Sequence, residues 1–342
     1  MGAPVSASVR RLIGEATRDD DGDGLPDFWE QMLAERFAPI VYHSSDESNF
    51  PTNVDWFLQK TELWFFDDAC VPDLHELVAT HPTQAELVSH ERVGGCGATD
   101  PVHSSGTRSN RKHRTFYLKD VAGEFRAGSS DSRDWTTYYH AYPNQRGGVT
   151  IQYWRFYAYN DAVNNHGGDW EGFHLVLDGD LRPAFVNLLG HSAIEEHSPR
   201  DFEWEETHVR IYSEGGGHAS GTNGRHVNAT GGAGFVDSAN PLTFVRQETW
   251  TNGDVLWFTG RKTKTGSLLN VGAKTAPMNG QLFIQYSGIW GSPGLLYETS
   301  GYWGPAYNET GMVGDVITAW GDGMQADPDY LRRECSPAGS TR

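Results

Sequence analysis

The sequence predicts a mainly β protein, an antiparallel β-sandwich with short peripheral helices and an N-terminal EF-hand-like calcium loop. Three observations support the fold class: many short runs of β-branched and aromatic residues, glycine-rich turns between them, and few long helical patterns. Such side chains fit a pleated surface. Glycine supplies 40 of the 342 residues, more than the roughly 7% of an average chain, and it gathers in connections such as 214–234. Short strands punctuated this way indicate a sandwich rather than a doubly wound sheet. The clearest strand is 149–159, VTIQYWRFYAY. Further strands are expected at 39–43, 114–118, 170–177, 184–189, 209–212, 254–258 and 281–286.

Helical patterns are short. In 27–37, Phe28, Met32, Leu33 and Phe37 recur near helical spacing. The phrase PTNVDWFLQK suggests a second helix, and Thr83 followed by Glu86 forms a capping box for QAELVSHE. Residues 1–18 read as a short helix or a loose arm, and 94–112 as an exposed loop. The expected division is an arm, loop and helix over 1–36, a sandwich over 37–325 and a tail over 326–342.

The net charge of −18 argues against a nucleic-acid backbone as the main partner, because no basic stripe supplies counterion release, although it leaves room for local basic patches. No stretch approaches 18 apolar residues, so no transmembrane helix is expected. The N-terminus lacks the apolar core of a secretory signal. Either a signal has been removed, or the protein leaves by another route or stays inside. Cys70 and Cys96 either pair, leaving Cys335 over, or all three are thiols. No CxxC motif points to thiolate zinc or redox chemistry.

Asp19 to Glu30 reads DDDGDGLPDFWE. With Asp19 at position 1, Asp21 falls at 3, Asp23 at 5, Gly24 at 6, Asp27 at 9 and Glu30 at 12. Leu25 offers a main-chain carbonyl at 7. That is the oxygen-ligand order of an EF-hand calcium loop, with glycine at the sharp turn. Without a cation these carboxylates repel one another. A single loop of this kind suits a structural Ca2+ clamp on the following helix, and calcium is easier to obtain outside a cell, which tilts the location to extracellular or secreted.

A second constellation begins at His166 in HGGDWEGFH. On a strand, Asp169, Glu171, Phe173, Leu175 and Leu177 share one face, while Trp170 and His174 take the other. Carboxylates two residues apart stand roughly 6.6 to 6.8 Å apart at Cα, close enough to converge on one divalent ion (Mg2+, Ca2+, Mn2+ or Zn2+) or to straddle a bond. His166 folds over as a third metal ligand in this reading. Two further strand ends deliver His191 and His218 beside small residues, and glycines there admit close approach of a ligand. Each of these groups reads equally as an ordinary surface turn. No GxSxG elbow or phosphate-binding glycine loop is present. Trp290 and Trp303, in WGSPG and GYWGP, either line a sugar-binding groove or plug the core.

Together LAERFAPIVYHSSDESNFP (33–51), HGGDWEG (166–172), GHS (190–192), GGGHA (215–219) and the late WGSPG and GYWGP phrases resemble the vacuolar protein sorting 62 domain family, over roughly residues 33–320. The central motif also distantly resembles the necrosis-inducing protein family, secreted β-sandwich cytolysins whose motif ends in H-x-H-D-W-E. That resemblance implies a divalent metal held by His166, Asp169 and Glu171, a glycosylated sphingolipid head group as ligand, and membrane damage. Gly168 stands where that family has its second histidine, and its further acidic ligand has no secure match beyond Asp161.

The leading expectation is therefore a secreted, calcium-stabilised protein that recognises a glycan or glycolipid head group through a divalent-metal site, with peripheral membrane contact and toxin-like damage as consequences. The alternative is a metal-dependent hydrolase of a glycan or phosphodiester, with His191 or His218 as general acid or base and Glu171 in the catalytic set. A third is a binding or structural module whose metals support the fold. Whether the protein is an enzyme stays open at this level.

Overall fold

The computed structural model describes residues 17–45, 47–97, 99–107, 113–144, 146–162, 165–189, 194–222, 244–294 and 300–307. Two seven-stranded sheets dominate. The first has the order β13 (Trp204–Glu205), β14 (His208–Ser213), β1 (Ile40–Ser44), β16 (Phe244–Glu248), β17 (Asp254–Leu256) and β18 (Lys262–Lys264), with β15 (Ser220–Gly221) beside β14. The second runs β12 (Ile194–His197), β11 (Pro183–Leu189), β10 (His166–Leu177), β9 (Val149–Asn160), β8 (Thr137–Pro143) and β19 (Leu268–Asn270), with β2 (Pro51–Thr52) pairing β9. Pairing is antiparallel except for β1 with β14 and β19 with β8. Smaller pieces are a sheet of β3 (Glu62–Asp67), β4 (Leu74–Thr80) and β7 (Thr115–Leu118), and the pairs β5 (Glu91–Arg92) with β6 (Val102–His103) and β20 (Gly272–Ala273) with β21 (Ala276–Pro277).

The β9–β10 pair is buried along its whole length on both faces. On the inner face Ile151, Tyr153, Phe173, Leu175 and Leu177 meet Val209 and Ile211 of the opposing sheet and Leu33, Ala34 and Phe37 of helix α1 (Asp27–Arg36). On the outer face Trp154, Phe156 and Trp170 pack under a third layer that includes Phe57, Phe65, Phe116 and Trp290. Phe57 belongs to α2 (Val54–Leu58), capped by the Asn53 side chain, and α3 (Gln84–Leu87) carries the expected Thr83–Glu86 capping box.

Most expected strands are present, with two differences. Residues 281–286 form a 3-10 turn, Leu282–Gln285, instead of a strand. Phe283, Ile284 and Tyr286 there point into the outer core, a use of aromatic side chains that needs no ladder. The strand expected from 170 begins at His166. Cys70 and Cys96 form a disulfide with Cα atoms 4.8 Å apart. Between them in the chain lie β4, α3 and β5. Residues 1–16, Cys335 and the expected tail lie outside the described residues.

The glycines of HGGDWEG serve this layering. Gly168 has φ +60, and a Cβ there would overlap the Trp290 carbonyl oxygen, while one at Gly291 would overlap that of Gly167. Two backbone segments thus cross at contact distance, which only glycine permits. Gly168→Ala is expected to cost on the order of 3 kcal/mol or more, from strained backbone plus overlap. Urea denaturation reads this directly, and a shift below about 0.5 kcal/mol would contradict the crossing.

Candidate functional site

Strand register assembles the central cluster. Along β9 and β10, Tyr157 faces Asp169 and Arg155 faces Glu171. These four extend the face that farther along carries Tyr153 and Phe173, then Ile151 and Leu175. The sandwich interior therefore turns from apolar to charged at one end of the pair. The turn after β1 adds Glu47, and the turn after β14 adds Glu214 and His218.

That second turn is tight. Gly216 takes φ +74 and donates its N–H to Glu47 Oε2 at 2.8 Å, and His218 itself has φ 58. The His218 ring lies flat on Tyr157, with centroids 3.8 Å apart. Its Nδ1 stands 2.8 Å from Asp169 Oδ2 and its Nε2 3.8 Å from Glu47 Oε1. Arg155 donates from Nη2 to the Ser220 hydroxyl at 2.8 Å.

The charges explain one another. Burial disfavours an imidazolium at His218, but Glu47 and Asp169 on either side override it and raise its pKa to about 10. Burial likewise works against Glu47, yet the His218 charge and N–H donors from Asn49 and Gly216 bring it down to about 2. Glu171 is pushed well above the usual range, first by burial and then by Asp169; His218 and Arg155 offset this only in part, and Glu214 adds to it. The Glu171 carboxyl accepts no hydrogen bond from the described residues. His43 is held neutral, near 3, by burial and by the positive charge of Arg155.

Among the expected ligands, Asp169 and Glu171 are together and His166 is elsewhere. Its ring packs 4.8 Å from Tyr302, with Nδ1 3.2 Å from the Gly167 carbonyl oxygen. Three residues along a strand is an odd step, which sends the two side chains to opposite faces. His218 occupies the place expected of His166; it is fully buried, flanked at both nitrogens by Asp169 and Glu47 and covered by Tyr157. His191 lies outside the described residues. Trp290 and Trp303 are core residues, 0% and 3% exposed, and do not form a sugar-facing rim. Asp161 is exposed, its N–H donated to the Gly216 carbonyl. Sequence reasoning missed Glu47 and Arg155. Arg155 left a signal, the one charge inside an aromatic strand; Glu47 left none.

The N-terminal loop makes a second acidic cluster. Asp19 accepts the N–H groups of Gly22 and Gly24 at 2.7 and 3.1 Å, and Asp23 Oδ1 accepts that of Leu25 at 2.7 Å. Asp27 Oδ1 accepts the Asp20 N–H at 2.9 Å. Asp21, Asp23 and Glu30 are buried. Asp21 Oδ2 receives the Ala273 N–H at 2.8 Å and Glu30 receives the Asn270 amide, so the loop is tied to β19 and β20. Asp23 Oδ2 lies 3.7 Å from Nε2 of the buried His140 on β8. Asp21, Asp23 and His140 bring one ligand atom each within 4.8 Å of one another, the sole such trio among the described residues. Asp23 Oδ2 and Glu30 Oε1 are buried with no hydrogen-bond partner there. Acceptor-only oxygens turned inward fit a cation, so this group could hold a metal ion. His140 had no sequence signal, since only the docking of the loop on β8 brings it near.

No protein-family model and no curated protein matches the chain. The resemblance to the vacuolar protein sorting 62 domain family therefore has no matching model behind it. Solved structures do overlap. Necrosis and Ethylene inducing Protein 2 from the causal agent of cocoa's Witches Broom disease shares 13% identity over 56% of this chain and 67% of its own, with a TM-score of 0.30. NLPPya in complex with glucosamine shares 15% over 60% and 70%, at 0.31. NLPPya in complex with mannosamine shares 13% over 57% and 67%, at 0.30. At such overlap these matches carry no argument about ligand or mechanism.

Burial and mutual repulsion raise Asp21 to about 6, Asp23 to about 8 and Glu30 to about 10 in the metal-free loop. Between the ordinary 3.8 and about 8, folded Asp23 keeps a proton that the unfolded chain has released. Raising pH through that window therefore favours unfolding of metal-free protein. A bound cation replaces the proton and removes the penalty. Thermal melts across that window should show stability falling with pH after chelation and recovering when calcium is restored. Identical slopes with and without calcium would overturn the loop's role.

Proposed function

We propose that this protein recognises a glycan or glycolipid head group through a divalent-metal centre built on Asp169 and Glu171, and that it acts outside the cell. The supporting observation is a charge imbalance away from water. Among the described residues three buried carboxylates, on Glu47, Asp169 and Glu171, gather about two cations, Arg155 and His218. Uncompensated buried charge is costly, so the cluster either holds protons or takes a cation. A divalent ion held by Asp169 and Glu171 would supply the missing charge and an electrophilic contact for sugar hydroxyls. His218 and Glu47 then keep Asp169 in place, and Arg155, opposite Glu171 across the strand pair, offsets part of its charge. The N-terminal loop, with Asp19, Asp21, Asp23, Leu25, Asp27 and Glu30, takes Ca2+ in this reading and clamps α1 against β8 and β19.

One observation favours hydrolysis as a second reading. Glu171 is disposed to hold a proton directly beside Asp169, and an acid next to a carboxylate is the pairing that glycoside hydrolysis uses. Release of reducing ends from a polymer separates it from binding alone.

A glycan array probed with calcium- or magnesium-loaded protein tests the main proposal. Binding should fall at least about tenfold after chelation and in Asp169→Ala. Glycan binding that is indifferent to both would sink the metal-centre reading.

A further inference from the structure

A groove lies apart from the two acidic clusters. It encloses 480 Å³ between residues 130–133 and the β17–β18 hairpin, and its lining includes Arg133, Trp257, Arg261 and Lys264. That volume falls in the range of small-ligand clefts. We propose that this groove binds an acidic sugar unit, a uronate or a sulfated sugar, with Trp257 taking the sugar face and Arg261 the anionic group. The site is distinct from the metal centre and does not depend on it.

The hairpin turn fixes both residues. The Trp257 N–H donates to the Arg261 carbonyl at 2.9 Å, and the Arg261 guanidinium stands 5.6 Å from the Trp257 ring centroid. Trp257 is held from behind by Trp135 and Phe50, at 5.3 and 5.6 Å between ring centroids, and its Nε1 donates to the Thr263 hydroxyl at 3.2 Å. Trp257 is thus anchored, keeps part of its surface exposed, and has the Arg261 guanidinium over its ring. A rigid aromatic face costs little entropy to present to a ligand.

Charge selects the ligand. Arg133 and Lys264 are paired with Asp131 and Asp254. Arg261 and Lys262 have no carboxylate within ion-pair distance among the described residues. A guanidinium offers a planar fork suited to carboxylate or sulfate. A long nucleic-acid strand is disfavoured, because two free cations on a chain of net charge −18 cannot offset its repulsion. A neutral sugar would leave Arg261 without its counterpart. Trp135 and His43, with centroids 6.0 Å apart, stand between this groove and the central cluster.

Calorimetric titration of the full chain with trigalacturonate, a chondroitin sulfate hexasaccharide, galactotriose and a single-stranded DNA 12-mer tests the assignment. One or both acidic sugars should bind, weaken as salt rises, and exceed galactotriose by at least about tenfold. Which of the two binds tells uronate from sulfate. Arg261→Glu, an exposed change, should reduce binding by at least about tenfold, and Glu171→Gln should leave it unchanged. Trp257→Ala should also abolish it; if that variant loses its thermal transition, Arg261→Glu decides. Equal binding of galactotriose, tighter binding of the DNA, or indifference to Arg261→Glu would overturn the proposal. Loss in Glu171→Gln alone would transfer the acidic-sugar binding to the central site.

Discussion

The structure depends on one constraint: the β9–β10 pair is covered on both faces. A strand buried on one face alternates apolar and polar side chains, but here neither face meets water, so both must be apolar or internally compensated. That requirement explains the aromatic content of 149–160, with Tyr153 turned to one layer and Trp154 and Phe156 to the other. It also sets apart the few charged groups on the pair. Arg155, Asp169 and Glu171 sit where an apolar residue would serve stability better, so their presence marks a different demand.

Both acidic clusters meet the same physical problem. Carboxylates withdrawn from water either repel, bind protons or bind a cation. In the loop, Asp21 and Asp23 close on His140, Asp21 accepts the Ala273 N–H of β20 and Glu30 accepts from Asn270 of β19, so that a cation held there would join α1 to the sheet. At the centre, His218 and Arg155 compensate part of the charge and leave Glu171 short of a partner. One cluster thus lies where it fastens elements together. The other lies where the apolar interior of the sandwich gives way to polar groups.

Motifs far apart in the chain meet for steric reasons. Gly167 and Gly168 of the central phrase, Gly291 of WGSPG and Gly301 of GYWGP all stand where one backbone passes against another. The approaching partner at Gly168 is the protein's own main chain, not a ligand. The glycines that follow Glu214 act on direction instead of spacing, since Gly216 turns the chain at positive φ so that His218 is set on Tyr157.

The sequence by itself determined the β class, the strand content of 149–159, the Thr83–Glu86 helix cap, the order of acidic residues from Asp19 to Glu30, and the shared face of Asp169 and Glu171. These are local properties, set by propensity, period and spacing along one segment. The tertiary structure alone decided which residues complete each cluster. His140 reaches the loop across more than a hundred residues, and Glu47 and His218 reach Asp169 from two separate turns. It also decided that β10 begins as early as His166 and that Trp290 and Trp303 are core. The strand period already opposed His166 to Asp169, but the burial of the two tryptophans follows from a third layer that no local pattern announces. Contacts of that kind arise from the packing of sheets, and packing partners are not written in the spacing of any one segment.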